Sequence, residues 1–105
     1  MDGVYQEMAK ALANGQPLVV ATVAQTRGST PRKAGAKMVV RPDGSFLGTI
    51  GGGCGEAEVW AEAMEVMKTG VPKLVAVDLT NPMDGEDKIC GGIMEVWVER
   101  VGPTT

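Results

Sequence analysis

The residues best suited to chemistry lie in two short glycine-rich segments of this chain. Cys54 follows three glycines and precedes a fourth within Gly51–Gly55, and Cys90 precedes Gly91 and Gly92. Glycine lets the backbone take positive φ and come close to a ligand. At the start of a helix, unpaired N–H groups and the positive dipole end lower a thiol pKa. A cysteine there is a better nucleophile and a better metal ligand.

Four interpretations of the cysteines remain open from the residues alone. Both thiols could be small buried hydrophobes, since free cysteine is often buried. A Cys54–Cys90 disulfide is disfavoured in a reducing compartment. A catalytic thiol would need Glu56 as its base, or electrostatic lowering of its pKa, because the chain has no histidine. In the fourth interpretation, backbone N–H groups hold an anion while a thiolate contacts a soft metal.

The composition excludes several familiar kinds of site. With two cysteines and no histidine, one chain cannot build an ordinary tetrahedral zinc site. The glycines of the first segment lack the G-x-G-x-x-G spacing of dinucleotide-binding proteins, and no G-x-x-x-x-G-K-[ST] phosphate loop occurs.

Positive charge is concentrated in the first half of the chain. Between Met8 and Pro42 there are six basic residues and no acid, whereas the rest carries four basic and thirteen acidic residues. The segment Arg27–Gly35 is predicted to be a loop, and its three basic side chains, two hydroxyls and glycines suit either an anion cradle or a solvated turn. The overall net charge of −3 argues against nucleic acid as a partner.

Residues 1–105 are predicted to form a single α+β domain, a compact mixed sheet of about five strands with two main helices. The turn at Pro42–Gly44 predicts a hairpin, which should bring the Arg27–Gly35 loop close to the Gly51–Gly55 segment. The predicted helices are Asp2–Ala13 and about Glu56–Lys68, and the predicted strands are Leu18–Ala24, Ala36–Arg41, Ser45–Ile50, Lys73–Leu79 and Ile93–Val98.

The spacing of apolar residues predicts which faces are buried. Val4, Met8 and Leu12 recur four residues apart and should form the core face of the first helix. In the last strand, Met94 should face the core and Trp97 the other face, where a helix or a partner subunit would cover it. The predicted apolar face of the second helix comprises Val59, Trp60, Ala63, Met64 and Met67.

The chain contains no apolar run long enough to span a membrane, for which about 20 residues are needed. Its first residues do not follow the pattern of a signal peptide. Two cysteines without a secretion signal predict a cytoplasmic protein with reduced thiols.

Taken together, these motifs resemble the XdhC/CoxI family, the accessory factors of xanthine dehydrogenase and related molybdenum hydroxylases. The resemblance extends from about Leu18 to Val101, with the motifs in family order and spacing. They are Gly28-Ser-Thr-Pro-Arg32, Gly35-Ala-Lys-Met38, Asp43-Gly44, Gly51-Gly-Gly-Cys54 with Glu56, Cys90-Gly-Gly92 and Glu95-Val-Trp-Val-Glu99.

The resemblance implies a chaperone for the molybdenum cofactor (molybdopterin with its metal), not an enzyme that turns over. Such proteins hold the cofactor, support its sulfuration by a cysteine desulfurase and pass it to the apo-hydroxylase. The implied groups near the cofactor are Gly51, Gly52, Gly53 and Cys54 (the metal-proximal thiol) with Glu56, then Cys90, Gly91 and Gly92, and on the anion side Ser29, Thr30, Arg32 and Lys33.

Longer family members carry a second, Rossmann-like domain. The resemblance therefore implies that a separate Rossmann-like chain or a homodimer supplies that part, or that this chain has a reduced role. Two alternatives of another class stay open. One is a thiol-based redox or sulfur-transfer protein that uses Cys54, and the other is a non-catalytic interaction subunit that docks through Trp97.

Overall fold

The structure is a computed structural model that describes residues 3–28, 33–50, 55–78 and 92–102. The elements within these ranges follow the predicted order, with two helices and five strands. They are α1 (Val4–Ala13), β1 (Leu18–Gly28), β2 (Lys37–Val40), β3 (Phe46–Gly48), α2 (Glu56–Thr69), β4 (Lys73–Asp78) and β5 (Gly92–Val101).

The five strands form one sheet in the order β3-β2-β1-β5-β4. All four described strand pairs are antiparallel. The sequence predicts a mixed sheet, and in this respect the prediction is wrong. β5 is inserted between β1 and β4, and it therefore joins the first half of the chain to the second. The predicted α+β class is confirmed.

The two helices pack on opposite faces of the sheet. Successive residues of a strand point to opposite faces, and the apolar runs of β1 and β2 therefore make both faces apolar. α2 covers the larger core, and α1 covers a smaller one over β1 and β2. The α2 core contains Val19, Ala21, Val23, Met38, Val40, Ile50, Val59, Ala63, Val66, Val77, Met94, Val96 and Val98; the α1 core contains Val4, Ala11, Leu18, Val20 and Val39.

β1 is longer than predicted, since Arg27 and Gly28 belong to the strand and not to a loop. The register explains the difference, because Arg27 lies opposite Ile93 and Gly28 opposite Gly92 in β5. These pairs are far apart in sequence, and the local signals of arginine and glycine favour a loop. The distant partner strand overrides those signals.

Two predicted core positions are wrong. Leu12 is 52% exposed, because α1 packs against the sheet through Val4 and Ala11. Trp60 is 36% exposed, whereas Val66, which was not assigned to the apolar face of α2, is fully buried. Periodicity predicted both helices correctly, but it did not give the rotation of either helix about its axis.

The predicted hairpin between β2 and β3 is confirmed. Its turn is closed by the Gly44 amide, which donates to the Arg41 carbonyl at 2.9 Å. The Asp43 carboxylate accepts bonds from the Ser45 hydroxyl at 2.6 Å and from the Ser45 amide at 2.9 Å. These two bonds lower the pKa of Asp43.

The second half of α2 is tied to neighbouring strands. Near its C-terminus, the Arg100 guanidinium donates to the Met67 carbonyl at 2.9 Å and so satisfies a helix-end carbonyl. Lys73 forms ion pairs of 2.9 Å with both Glu62 and Glu65. The pKa of Lys73 is raised by these carboxylates, Glu62 first. These contacts hold the helix against β4 and β5.

Candidate functional site

The ends of three adjacent strands, β1, β5 and β4, lie together at one end of the sheet. β1 ends at Gly28 and β5 begins at Gly92, directly opposite, while Asp78 at the end of β4 lies opposite Ile93. The segment after Gly28 and the segment before Gly92 carry motifs that the sequence predicts to form the site. Their described flanking residues are therefore neighbours on adjacent strands.

This end of the sheet has two levels. The first level lies beside Val23, whose carbonyl accepts a bond from the Gly35 amide at 2.8 Å. The end of β3 lies at the same level, because Gly48 of β3 pairs with Met38 of β2, and Met38 pairs with Ala21 of β1. Gly28 lies further along β1, roughly 20 Å beyond Ala21 at the usual strand rise. The ends of β1, β5 and β4 thus form a ribbon that extends beyond β2 and β3.

A bulge separates the ribbon from the rest of β1. Val23 pairs with Val96, and Gln25 pairs with Glu95, so Ala24 is an extra residue on β1. A bulge bends its strand and increases the local twist. The exposed Arg27 side chain is carried on the segment beyond this bend.

The predicted site residues divide into described and undescribed ones. Lys33 is exposed at the first level, Glu56 is half-buried at the start of α2, and Gly92 is buried at the tip of the ribbon. The other predicted site residues lie outside the described residues, and their roles remain predictions. They are Ser29, Thr30, Arg32, Gly51, Gly52, Gly53, Cys54, Cys90 and Gly91.

The start of α2 has no side-chain cap. Its N-cap residue, Gly55, has φ of 77° and provides no side-chain hydrogen bond to the helix. The first-turn N–H groups of this 14-residue helix therefore lack the cap that serine, threonine or aspartate would give. Glu56 accepts a hydrogen bond from the Thr49 hydroxyl through its Oε2 atom. This bond ties the helix start to the residue after β3.

Beside the helix start lies a pocket of about 440 Å³, which we call the aromatic pocket. The β2–β3 hairpin provides Gly44 and Phe46, and the first turns of α2 provide Glu56, Ala57 and Trp60. The Trp60 indole N–H donates to the Gly44 carbonyl at 2.8 Å, which fixes the ring. Phe46 is 48% exposed and Trp60 is 36% exposed, so both aromatic side chains are accessible from solvent.

Sequence reasoning missed Phe46 and treated Trp60 as a core residue. Trp60 lies at a helical spacing that suits a buried face, and Phe46 lies in a short alternating strand. A weak signal was present nonetheless, since the chain has only one phenylalanine and two tryptophans. Two of these three rings line the aromatic pocket.

The opposite face of the sheet is only partly covered by α1. Trp97 on β5 is 38% exposed and lies opposite Leu74 on β4, which is also exposed. Thr22 on β1 lies on the other side of Trp97 and accepts a 2.9 Å bond from Lys37. The prediction that Trp97 faces away from the α2 core is confirmed. We call the surface around Trp97 and Leu74 the open face.

Among residues 3–28, 33–50, 55–78 and 92–102, no group of three or more histidine, cysteine, aspartate or glutamate side chains is arranged to hold a metal ion. Neither described helix combines the length and the apolar character that a membrane crossing requires.

Within the described residues, a five-stranded antiparallel sheet with one helix on each face defines a compact α+β domain. Residues 11–78 match the model of the XdhC and CoxI family. The chain therefore belongs to the XdhC and CoxI family, and the predicted resemblance is confirmed.

Two curated relatives show what this chain is similar to. The chain is 37% identical over 92 residues to the molybdenum cofactor insertion chaperone PaoD of Escherichia coli, covering 88% of the chain and 29% of PaoD. It is 33% identical over 103 residues to a probable xanthine dehydrogenase subunit of Bacillus subtilis, covering 94% of the chain and 31% of that protein.

A crystal structure of a xanthine dehydrogenase from Bacillus halodurans has the same fold. It superposes with a TM-score of 0.77 at 31% sequence identity, covering 90% of the chain and 29% of that protein. The chain spans between 18% and 31% of the length of the curated relatives that it matches.

Proposed function

We propose that this chain is an accessory protein that binds the molybdenum cofactor, aids its sulfuration and delivers it to a xanthine-dehydrogenase-type hydroxylase. The observation that carries the proposal is the 37% identity to a molybdenum cofactor insertion chaperone over 88% of this chain. In this proposal the chain binds and transfers the cofactor and does not catalyse turnover.

The described residues fit such a cofactor at its anionic end. The cofactor combines a phosphate, a pterin and a dithiolene that holds the metal, and when bound it supplies the redox-active molybdenum centre. Lys33 and Arg27 are exposed cations at the two levels of the sheet end. Cations hold a phosphate through charge-assisted hydrogen bonds.

We assign the metal-proximal role to Cys54 and a second thiol role to Cys90, since thiolates suit a soft metal. The glycines beside each cysteine would allow close approach of the backbone. Ser29, Thr30 and Arg32 would complete the anion side with Lys33. Support for this assignment comes from the Gly28–Gly92 pairing, because it joins the strand ends from which two of these motifs continue.

The partners in this proposal are an apo-hydroxylase, a cysteine desulfurase and a separate Rossmann-like chain, in the cytoplasm. Homodimerisation through the open face belongs to the same proposal, because Trp97 and the neighbouring Leu74 are exposed together. If the open face joins two copies, Leu74→Glu should convert a dimer into a monomer in light-scattering measurements, whereas a wild-type monomer at all concentrations would exclude the homodimer.

The central experiment is an anaerobic titration of the purified chain with molybdenum cofactor, with bound pterin read by fluorescence after oxidation. Wild type should bind stoichiometrically, and Cys54→Ala should lose the metal-containing form. Cys90→Ala tests the second thiol. Lys33→Ala should weaken binding about tenfold, which is typical for one charge-assisted contact. Lys10→Ala is the matched control, because Lys10 is also an exposed lysine but lies on α1.

Lack of cofactor binding by the wild-type chain would refute the delivery function for this chain. Detection of a persulfide on Cys54 in that case would favour the sulfur-transfer alternative. If the chain keeps its accessory activity when both cysteines are replaced by alanine, the interaction-subunit alternative is favoured.

A further inference from the structure

We propose that the aromatic pocket binds the heterocycle of a 2-amino-4-oxopteridine, with the ring between Phe46 and Trp60 and its N–H edge on Glu56. This inference rests on the proposed function for its biological ligand, but it concerns a site that lies wholly within the described residues. It assigns the pterin end of the cofactor to the hairpin side of α2.

The pocket has the size and the walls that a flat bicyclic ring requires. Its volume of about 440 Å³ lies within the range of small-molecule sites. Phe46 from the hairpin and Trp60 from α2 both line it. Aromatic side chains bind planar heterocycles by stacking, and this contribution does not depend on the ring's substituents.

The Trp60 wall is held in place before any ligand arrives. The indole N–H donates to the Gly44 carbonyl at 2.8 Å. Gly44 itself has φ of 90°, and a Cβ at this position would lie 3.4 Å from the indole ring. Glycine suits this turn because of its positive φ, and its carbonyl fixes the orientation of the indole ring, which lies close beside it. A preorganised wall reduces the entropy cost of binding.

Glu56 supplies the polar group that selects among flat rings. One of its oxygens, Oε2, accepts the Thr49 hydroxyl, which orients the carboxylate. A carboxylate has about four lone-pair sites, so it can accept two further donors. The N3–H and 2-amino groups of a 2-amino-4-oxopteridine form such a donor pair, similar in layout to an arginine fork. Adenine-like rings and 2-oxo rings have a hydrogen-bond acceptor in place of one of these donors, and an ionised carboxylate cannot bond to an acceptor.

The alternative is that Phe46 and Trp60 only cover the edge of the core. The two interpretations predict different ligand affinities, since rings that only shield the core would give no preference for a ligand with a 2-amino group. Trp97 provides a matched control, because it is 38% exposed compared with 36% for Trp60 but lies on the open face.

The test is equilibrium dialysis of the full chain against pterin, with lumazine, its 2-oxo counterpart, as the matched ligand. Wild type should bind pterin about ten- to hundredfold more tightly than lumazine, as expected for hydrogen bonds to a charged acceptor. Glu56→Gln should remove most of that preference while still accepting the Thr49 hydroxyl. Trp60→Leu should weaken binding of both ligands about tenfold or more, whereas Trp97→Leu should leave it unchanged.

Phe46→Ala serves as a second wall variant if Trp60→Leu does not fold. No pterin binding by folded wild type would overturn the proposal, as would equal affinity for pterin and lumazine. Unchanged binding in a folded wall variant would overturn it too. The titration with intact cofactor distinguishes this inference from the delivery function. Cofactor binding that is insensitive to Trp60, Phe46 and Glu56 refutes only this inference, whereas pterin binding without cofactor binding refutes only the delivery function.

Discussion

The replacement of Gly48 by alanine tests how the end of β3 is fitted against both α1 and β2. Gly48 has φ of 85°, in the left-handed region that L side chains rarely adopt. A Cβ built on it would lie 2.5 Å from the Lys37 carbonyl oxygen and 2.9 Å from a methyl group of Val4. The first neighbour is backbone within the sheet, so it cannot move aside as a flexible side chain can.

The expected cost has two parts. A left-handed backbone costs an L residue about 1–2 kcal/mol. Forcing the new methyl group against the sheet and α1 adds about 1–3 kcal/mol, which is typical of overpacking. Gly15→Ala is the matched control, since Gly15 has φ of 70° but no atom within 4 Å of its would-be Cβ. The control therefore bears only the backbone cost.

Urea unfolding monitored by circular dichroism gives both free energies of unfolding. At an m-value of about 1.5 kcal/mol/M, the extra 1–3 kcal/mol corresponds to a midpoint about 0.7–2 M lower for Gly48→Ala than for Gly15→Ala. Equal midpoints for the two variants would show that the close approach at Gly48 is relieved without cost. The packing of β3 between β2 and α1 would then be looser than described.

Three further outcomes follow from the described contacts. Met94→Ala should cost about 2–5 kcal/mol of unfolding free energy and Leu12→Ala less than about 1 kcal/mol, because Met94 is fully buried and Leu12 is half exposed; equal costs in urea titrations would contradict the orientation of α1. Arg100→Met should lower the free energy of unfolding by about 1–2 kcal/mol, since the hydrogen bond from Arg100 to the last turn of α2 disappears. An unchanged urea midpoint would make that bond energetically neutral. Arg41 lowers the pKa of Glu7, chiefly through their 3.0 Å hydrogen bond. Because the folded pKa is the lower one, the pair's contribution is present above the ordinary glutamate pKa of about 4.3 and is lost as pH falls through the lowered value. Arg41→Met should therefore lower the free energy of unfolding at pH 7 and lower it progressively less in acid. A difference between variant and wild type that does not change with pH would exclude this linkage.

Local signals were sufficient to predict the type and order of all described elements. The hairpin between β2 and β3 followed from the turn residues at Asp43 and Gly44, and α2 from its apolar period and its terminal Gly70. Such signals act within a few residues, so they survive in the folded chain. The extension of β1 to Gly28 could not be predicted this way, because it depends on pairing with Gly92, far along the sequence.

The candidate site shows the same limit. Sequence spacing singled out Glu56 and Lys33, but it could not place either one on a level of the sheet end. That placement depends on the register of β1 with β5 and of β2 with β3. The aromatic pocket is a stronger example, since Phe46 and Glu56 become neighbours only when α2 packs across the hairpin.

The two tryptophans show why residue type and periodicity cannot assign a role alone. Both are about one-third exposed, and both lie within apolar patterns. Trp60 is held by a backbone carbonyl and lines a pocket with the Glu56 carboxylate, which supports its proposed role as a ligand wall. Trp97 lies on a broad strand surface opposite Leu74, which suits a protein partner better than a small ligand. If both assignments hold, this family domain uses opposite faces of one sheet for its two tasks. Cofactor binding should then survive substitutions on the open face, and partner docking should survive substitutions in the aromatic pocket.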